Sequence, residues 1–266
     1  MRKVQNYIKF VAMISMLAVL ILTPTSAAFA GSNGQQVAIF ACNAARVVLQ
    51  GYNQQGKSAT YTLNNPGCGR VYITGWWWKT WVGATAYYNL SAEHPYYAGQ
   101  SMTVYVPPSQ SNSDWYFVNF STPSTRQWIL WRASTWVNDR ISYGTGSYHD
   151  GYRQDCSGFV SFAWSTGYNY NTSTLMNSNV SYVISYDSLQ PGDALDSPTG
   201  GHAILFLGWV NQGAGTFIAF EENIWPSPGY AQQHQATLNK STGQITATDG
   251  HFYYGYKYYA IRKNGL

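Results

Sequence analysis

A chain of 266 residues with 17% aromatic and only 10% charged side chains carries too much ring surface to stay disordered, and it is long enough for two modest domains. Its formal charge of +4 drops by three, to +1, when Arg2, Lys3 and Lys9 at the N-terminus are set aside. Nothing then remains of the basic patch that nucleic acid requires.

Residues 1–30 read as a secretory signal. Arg2, Lys3 and Lys9 supply a positive start, Phe10 to Leu22 is an uncharged and mostly apolar run of 13 residues, and Ala28-Phe29-Ala30 is a small-x-small cleavage pattern. A transmembrane span needs about 20 apolar residues, so the expectation is a secreted, extracellular protein with no stable membrane insertion after cleavage. An uncleaved anchor is the alternative. The three cysteines, Cys42, Cys68 and Cys156, allow three single bridges. Cys42 and Cys68 share one region and can close a loop in an oxidising compartment. The different context of Cys156 points to it as the free thiol.

From residue 31 to about 122 the chain reads as β-rich. Val37–Phe40, Ala59–Leu63, Val71–Thr74 and Met102–Val106 are short apolar or alternating runs, punctuated by Gly51, Asn64-Asn65-Pro66-Gly67, Gly99 and Pro107-Pro108. Residues 109–114 read as a polar loop, Trp115–Phe120 as a last strand, and Ser121-Thr122-Pro123 as a junction. The run Trp76-Trp77-Trp78-Lys79-Thr80-Trp81 has two readings: a platform for sugar rings, or core and interface packing of an alternating strand. Packing is the preferred one.

Ser124 and Gln127 have capping-box spacing, and Ile129, Ala133, Trp136 and Val137 share one face, which predicts a helix ending near Arg140. A second helix is predicted from Cys156, apolar nearly all round and therefore buried, stopping near Gly167. Ala203–Leu207, Thr216–Phe220, Phe252–Tyr254 and Tyr256–Ile261 read as strands. Helices followed by antiparallel strands imply an α+β domain.

Within Asp155-Cys156-Ser157-Gly158-Phe159-Val160, the thiol occupies the first turn of a helix. Unpaired N–H groups and the positive dipole end favour the thiolate that a nucleophile needs. A buried structural cysteine is the plainer alternative. Gly200-Gly201-His202 opens an apolar strand, leaving the imidazole uncrowded and suited to act as base for Cys156. Glu221 and Asn223 share one face of the next strand and Glu222 takes the other. Glu221 ranks first as the group that orients His202, because a carboxylate both fixes the ring and stabilises the imidazolium. Asn223 ranks second, and a merely solvated strand end is the alternative. His94, His149, His234 and His251 lack metal-ligand spacing, so neither a metal nor any other cofactor is expected.

The Tyr143-Gly144 turn, the Asp-Cys-Ser-Gly-Phe-Val run, Leu189-Gln190-Pro191-Gly192-Asp193 and the Gly-His pair before an apolar strand together resemble the NlpC-type cell-wall cysteine peptidases, over roughly residues 126–262. The resemblance implies a papain-like α+β fold with N-terminal helices and an antiparallel sheet, Cys156 as nucleophile, His202 as base, and Tyr143 near the nucleophile. It also implies peptidoglycan, or its stem peptides, as the substrate and partner. Where that family commonly carries a third histidine, this chain has Glu221-x-Asn223, which is similar to the CHAP amidase/peptidase group. The organisation expected is a signal peptide (1–30), a β-rich module with a wall- or carbohydrate-binding role (31–122) and a cysteine hydrolase domain (123–266). The alternatives are an acyltransferase or hydrolase of a non-wall substrate on the same scaffold, and a catalytically silent wall-binding protein.

Overall fold

The structure is a computed structural model that describes residues 34–108, 115–225, 227–247 and 255–266. The expected signal segment, the polar loop 109–114, His251 and the strand expected at Phe252–Tyr254 lie outside the described residues. The first sheet contains β1 (Gln35–Phe40), β2 (Arg46–Asn53), β3 (Ser58–Asn64), β4 (Arg70–Tyr88), β5 (Tyr97–Val106) and β6 (Trp115–Asn119). Its order is β3-β2-β4-β1-β6, with β5 also on β4. The 19-residue β4 serves both halves of this sheet. Residues 70–73 pair with β1, whereas residues 82–87 lie between β2 and β5. Positive φ at Gly75 and Thr80 interrupts the alternation between those halves, which divides the tryptophan run. Trp78 is fully buried, while Trp76 and Trp81 are exposed. Cys42 and Cys68 form a disulfide.

The helix α1 (Thr125–Asp139) begins at the Ser124/Gln127 capping box and ends at left-handed Arg140. It serves two cores, so its apolar stripe is wider than one face. Ile129, Ala133 and Trp136 pack into the core of the second half of the chain. Trp128 and Trp131 pack on the core of the first sheet, where Tyr88 meets Trp131 at 4.9 Å between ring centroids. Polar ties reinforce this junction: Tyr97 to Ser134 at 3.1 Å and His94 to Asp139 at 2.7 Å.

A two-stranded hairpin, β7 (Gly144–His149) and β8 (Tyr152–Gln154), leads into α2 (Cys156–Trp164), every residue of which is buried. A short α3 (Thr172–Leu175) follows, then a seven-stranded antiparallel sheet. Its strands are β9 (Ser181–Val183), β10 (Ala194–Ser197), β11 (His202–Asn211), β12 (Thr216–Asn223), β13 (Tyr230–Leu238), β14 (Ile245–Ala247) and β15 (Tyr259–Lys263), in the order β14-β13-β12-β11-β10-β15-β9. Phe159 and Val160 of α2 pack with Leu205 and Phe220 on one face of this sheet. Ile204, Phe206 and Ala219 line the other.

This architecture corrects the expected fold class. Among the described residues strand makes up 50% and helix 14%, with three helices and several antiparallel sheets, so the fold is mostly β and not an α+β papain-like fold with N-terminal helices. The physical reason lies in strands such as β2, β10 and β13, which carry polar or mixed residues and become strands only because a neighbour completes their hydrogen-bond ladder. Among the described residues no helix is long and apolar enough to cross a membrane.

Candidate active site

The site is assembled where the start of α2 meets the ends of β11 and β12. Asp155 is the N-cap of α2, its carboxylate accepting the Gly158 N–H at 2.7 Å. Arg153 Nε donates to the same carboxylate at 2.7 Å, and its other nitrogens donate to the Asn169 and Tyr170 carbonyls. The turn that presents Cys156 is therefore braced on both sides. Gly158 is required here, since a Cβ at this position would lie 2.1 Å from the Arg153 carbonyl oxygen. By the geometry of a helix start, the N–H of Cys156 has no intrahelical acceptor and points out of the first turn.

On the facing strand, Gly201 adopts a left-handed φ of 64° and delivers His202 to the start of β11. The Cys156 thiol lies 3.6 Å from the Gly201 carbonyl oxygen and is hydrogen-bonded to the His202 ring. His202 Nε2 is 2.8 Å from Glu221 Oε2, which leaves Nδ1 for the thiol. Asn223 Nδ2 donates to Glu221 Oε1 at 2.9 Å, and its own oxygen accepts the Trp225 N–H. The structure thus brings Cys156, His202, Glu221 and Asn223 into one hydrogen-bonded chain. Cys156 is the free cysteine, and it is buried.

Burial by itself would lower the basicity of His202. The hydrogen bonds to Cys156 and Glu221, with their negative charges, outweigh it and hold the imidazole pKa at about 10. Burial would likewise favour protonated Glu221, but the His202 hydrogen bond and the charges of His202 and His234 hold its carboxyl below the usual range. The ring is kept as an imidazolium beside a carboxylate, poised to hand a proton to a leaving group.

Tyr143 stands at the mouth of the β7–β8 hairpin. Its N–H donates to the Gly229 carbonyl, and the next residue, Gly144, pairs with Gln154 two positions before Cys156. That register sets Tyr143 beside the start of α2, and it is half-buried.

Two residues carry more than the sequence suggested. His234, on β13, is buried with Nδ1 3.6 Å from Glu221 Oε1. Its signal was the alternation of β13, which puts Gln232, His234 and Ala236 on one face. Glu222 does not belong to a solvated strand end. It is fully buried, and neither carboxyl oxygen has a hydrogen-bond partner among the described residues. Burial, with the nearby charges of Asp155 and Glu221, pushes its pKa up to about 9. Asp193 of the Pro-Gly-Asp motif is structural: its buried carboxylate takes Arg126 Nη1 at 2.9 Å and Arg262 at 2.8 and 3.0 Å, tying α1 to β15. Among the described residues no group of His, Cys, Asp and Glu side chains is arranged to hold a metal ion.

No protein-family model matches the chain, and no curated protein is significantly similar to it.

Proposed function

We propose that the chain is a secreted cysteine hydrolase that cleaves amide bonds through a Cys156 thioester, with peptidoglycan stem peptides as the substrate class. The observation that carries the reading is the hydrogen-bonded chain Cys156–His202–Glu221–Asn223, set at the start of a helix. The Cys156 thiolate attacks the amide carbonyl carbon, forming the C–S bond, and the Cys156 N–H is placed to receive the oxyanion. Collapse of the tetrahedral adduct breaks the C–N bond as His202 gives its proton to the leaving amine. Water then attacks the thioester carbonyl as His202 takes its proton, the C–S bond breaks to release the carboxylic product, and the Cys156 thiolate is left beside the His202 imidazolium, as at the start. Glu221 keeps the ring in one orientation and stabilises the imidazolium, while Asn223 keeps Glu221 in place.

The wall substrate rests on the resemblance of the cysteine, Pro-Gly-Asp and Gly-His motifs to NlpC-type peptidases. Secretion rests on the N-terminal signal pattern, and the Cys42–Cys68 disulfide agrees with an oxidising compartment. The test is purified protein incubated with cell-wall sacculi, with the released fragments read by mass spectrometry. New amine and carboxyl ends in stem peptides are expected, and they should vanish with Cys156→Ala. Fragments released equally by both proteins would overturn the assignment.

A further inference from the structure

A second site lies on the first sheet, away from the thiol. The outward-facing residues of three adjacent strands form a regular surface. Gln50, Gly83 and Thr103 make one row across β2, β4 and β5, and Val48, Thr85 and Ser101 make the next. The inward neighbours Leu49, Val82 and Ala84 are buried in the core. Gly83, in the middle strand, has no side chain, so the two rows enclose a shallow trough of about 310 Å³. Trp81 and Tyr105 stand paired at one end, 5.2 Å apart, with Trp81 61% exposed. At the other end Arg46 is sandwiched over Tyr87 and Tyr96, at 4.5 and 4.2 Å. From Trp81 to Tyr87 the strand runs about 20 Å.

We propose that this trough binds a neutral saccharide chain. Its walls carry the Thr85, Ser101 and Thr103 hydroxyls and the Gln50 amide beside apolar Val48 and Met102, with Thr85 and Ser101 already 3.1 Å apart. Between its two ends no charged side chain lines it, and the one cation at its end, Arg46, is stacked on Tyr87 and Tyr96, so the floor of the trough favours an uncharged ligand. The aromatic end offers flat π-faces whose negative quadrupole attracts the polarised C–H groups of a pyranose ring, while the hydroxyl rows answer the ring's equatorial hydroxyls. A lipid would leave those hydroxyls unpaired. A peptide would instead be expected along the outer edge of β5, by strand addition. The inference is independent of the thiol chemistry, so it is tested in a Cys156→Ala background.

The probes are the tetramers of N-acetylglucosamine and of glucose, titrated into the full chain by calorimetry. At least one is expected to bind. Trp81→Ala should weaken it about 10-fold, the worth of one good ring contact. Gly83→Leu, which fills the trough, should abolish binding. Unchanged melting temperatures check that the variants are folded. Failure of both tetramers to bind the parent chain would overturn the proposal. So would binding that survives both Trp81→Ala and Gly83→Leu.

Discussion

His202 lies between a thiol and a carboxylate, both buried with it, and its proton is what the proposed reaction moves. Because its folded pKa is raised, the ion pair's contribution to stability is complete below the ordinary imidazole range and is lost as pH rises through about 10. Glu221 is depressed, so its contribution is present above the ordinary carboxylate range and is lost as pH falls through its folded value. Amide cleavage should therefore hold through neutral pH and decline on both sides, and His202→Ala should remove at least ~10³-fold of it. Glu221→Gln keeps the shape but not the charge, and should lower turnover by about 10-fold or more; an unchanged rate would leave Glu221 with no orienting role. Glu222 behaves in the opposite sense. Its folded pKa of about 9 means that the folded state holds a proton the unfolded chain gives up, so stability falls as pH climbs from the carboxylate range towards 9. Glu222→Gln should raise stability by an amount on the order of a few kcal/mol at neutral pH, with little change in turnover. The gap in melting temperature between the two proteins should widen from pH 5 to pH 8. A gap that narrows would contradict it.

At the scale of elements, α2 depends on contacts made outside itself. Asp155 caps it, Arg153 braces the cap, and Gly158 lets the Arg153 backbone pass within contact of the helix. Asp155→Ala removes the cap and strands the guanidinium, and should cost about 1–2 kcal/mol from the cap alone; denaturant unfolding measures it. Asp193 makes a stronger demand. Breaking a buried carboxylate away from two arginines costs about 3–5 kcal/mol, so Asp193→Ala should lose that much by the same measurement. Both helices were legible beforehand because capping and apolar spacing are local signals. The observed start at Ser124 and stop at Arg140 follow from them. The sequence places the stop of α2 near Gly167, but the helix ends at Trp164 because Ser165, two residues earlier, already takes the left-handed C-cap. The sequence carries no clear signal for β2, and β4 is legible only as Val71–Thr74 and, in pieces, as the alternating Trp76–Trp81 run. A strand interrupted by Gly75 and Thr80 in left-handed conformations looks broken in sequence and becomes continuous only through its partners.

For the whole molecule, α1 is the element that joins the two halves. Core residues between 37 and 120 pack in one cluster, and those from 129 onward pack in two others. Trp128 and Trp131 join the first cluster to the helix. A side chain at Gly99 would meet Trp131 at 2.8 Å, so the fit there is close. Trp131→Ala should cost about 3–5 kcal/mol and split calorimetric unfolding into two transitions. A single unshifted transition would show that Trp131 does not couple the two halves. What the amino-acid order determined by itself was local: the caps, the buried helix behind Cys156, the isolation of that cysteine from the other two, and the face shared by Glu221 and Asn223. Each depends on a period of 3.6 or 2, or on one side chain meeting its own backbone. Tertiary structure decided the rest. It made the fold mostly β, buried Glu222, and brought His234 to Glu221. It also set Asp193 between two arginines and exposed Trp81 while enclosing Trp78. Burial and strand pairing belong to the neighbour as much as to the residue, and the neighbour is supplied only when the sheets close.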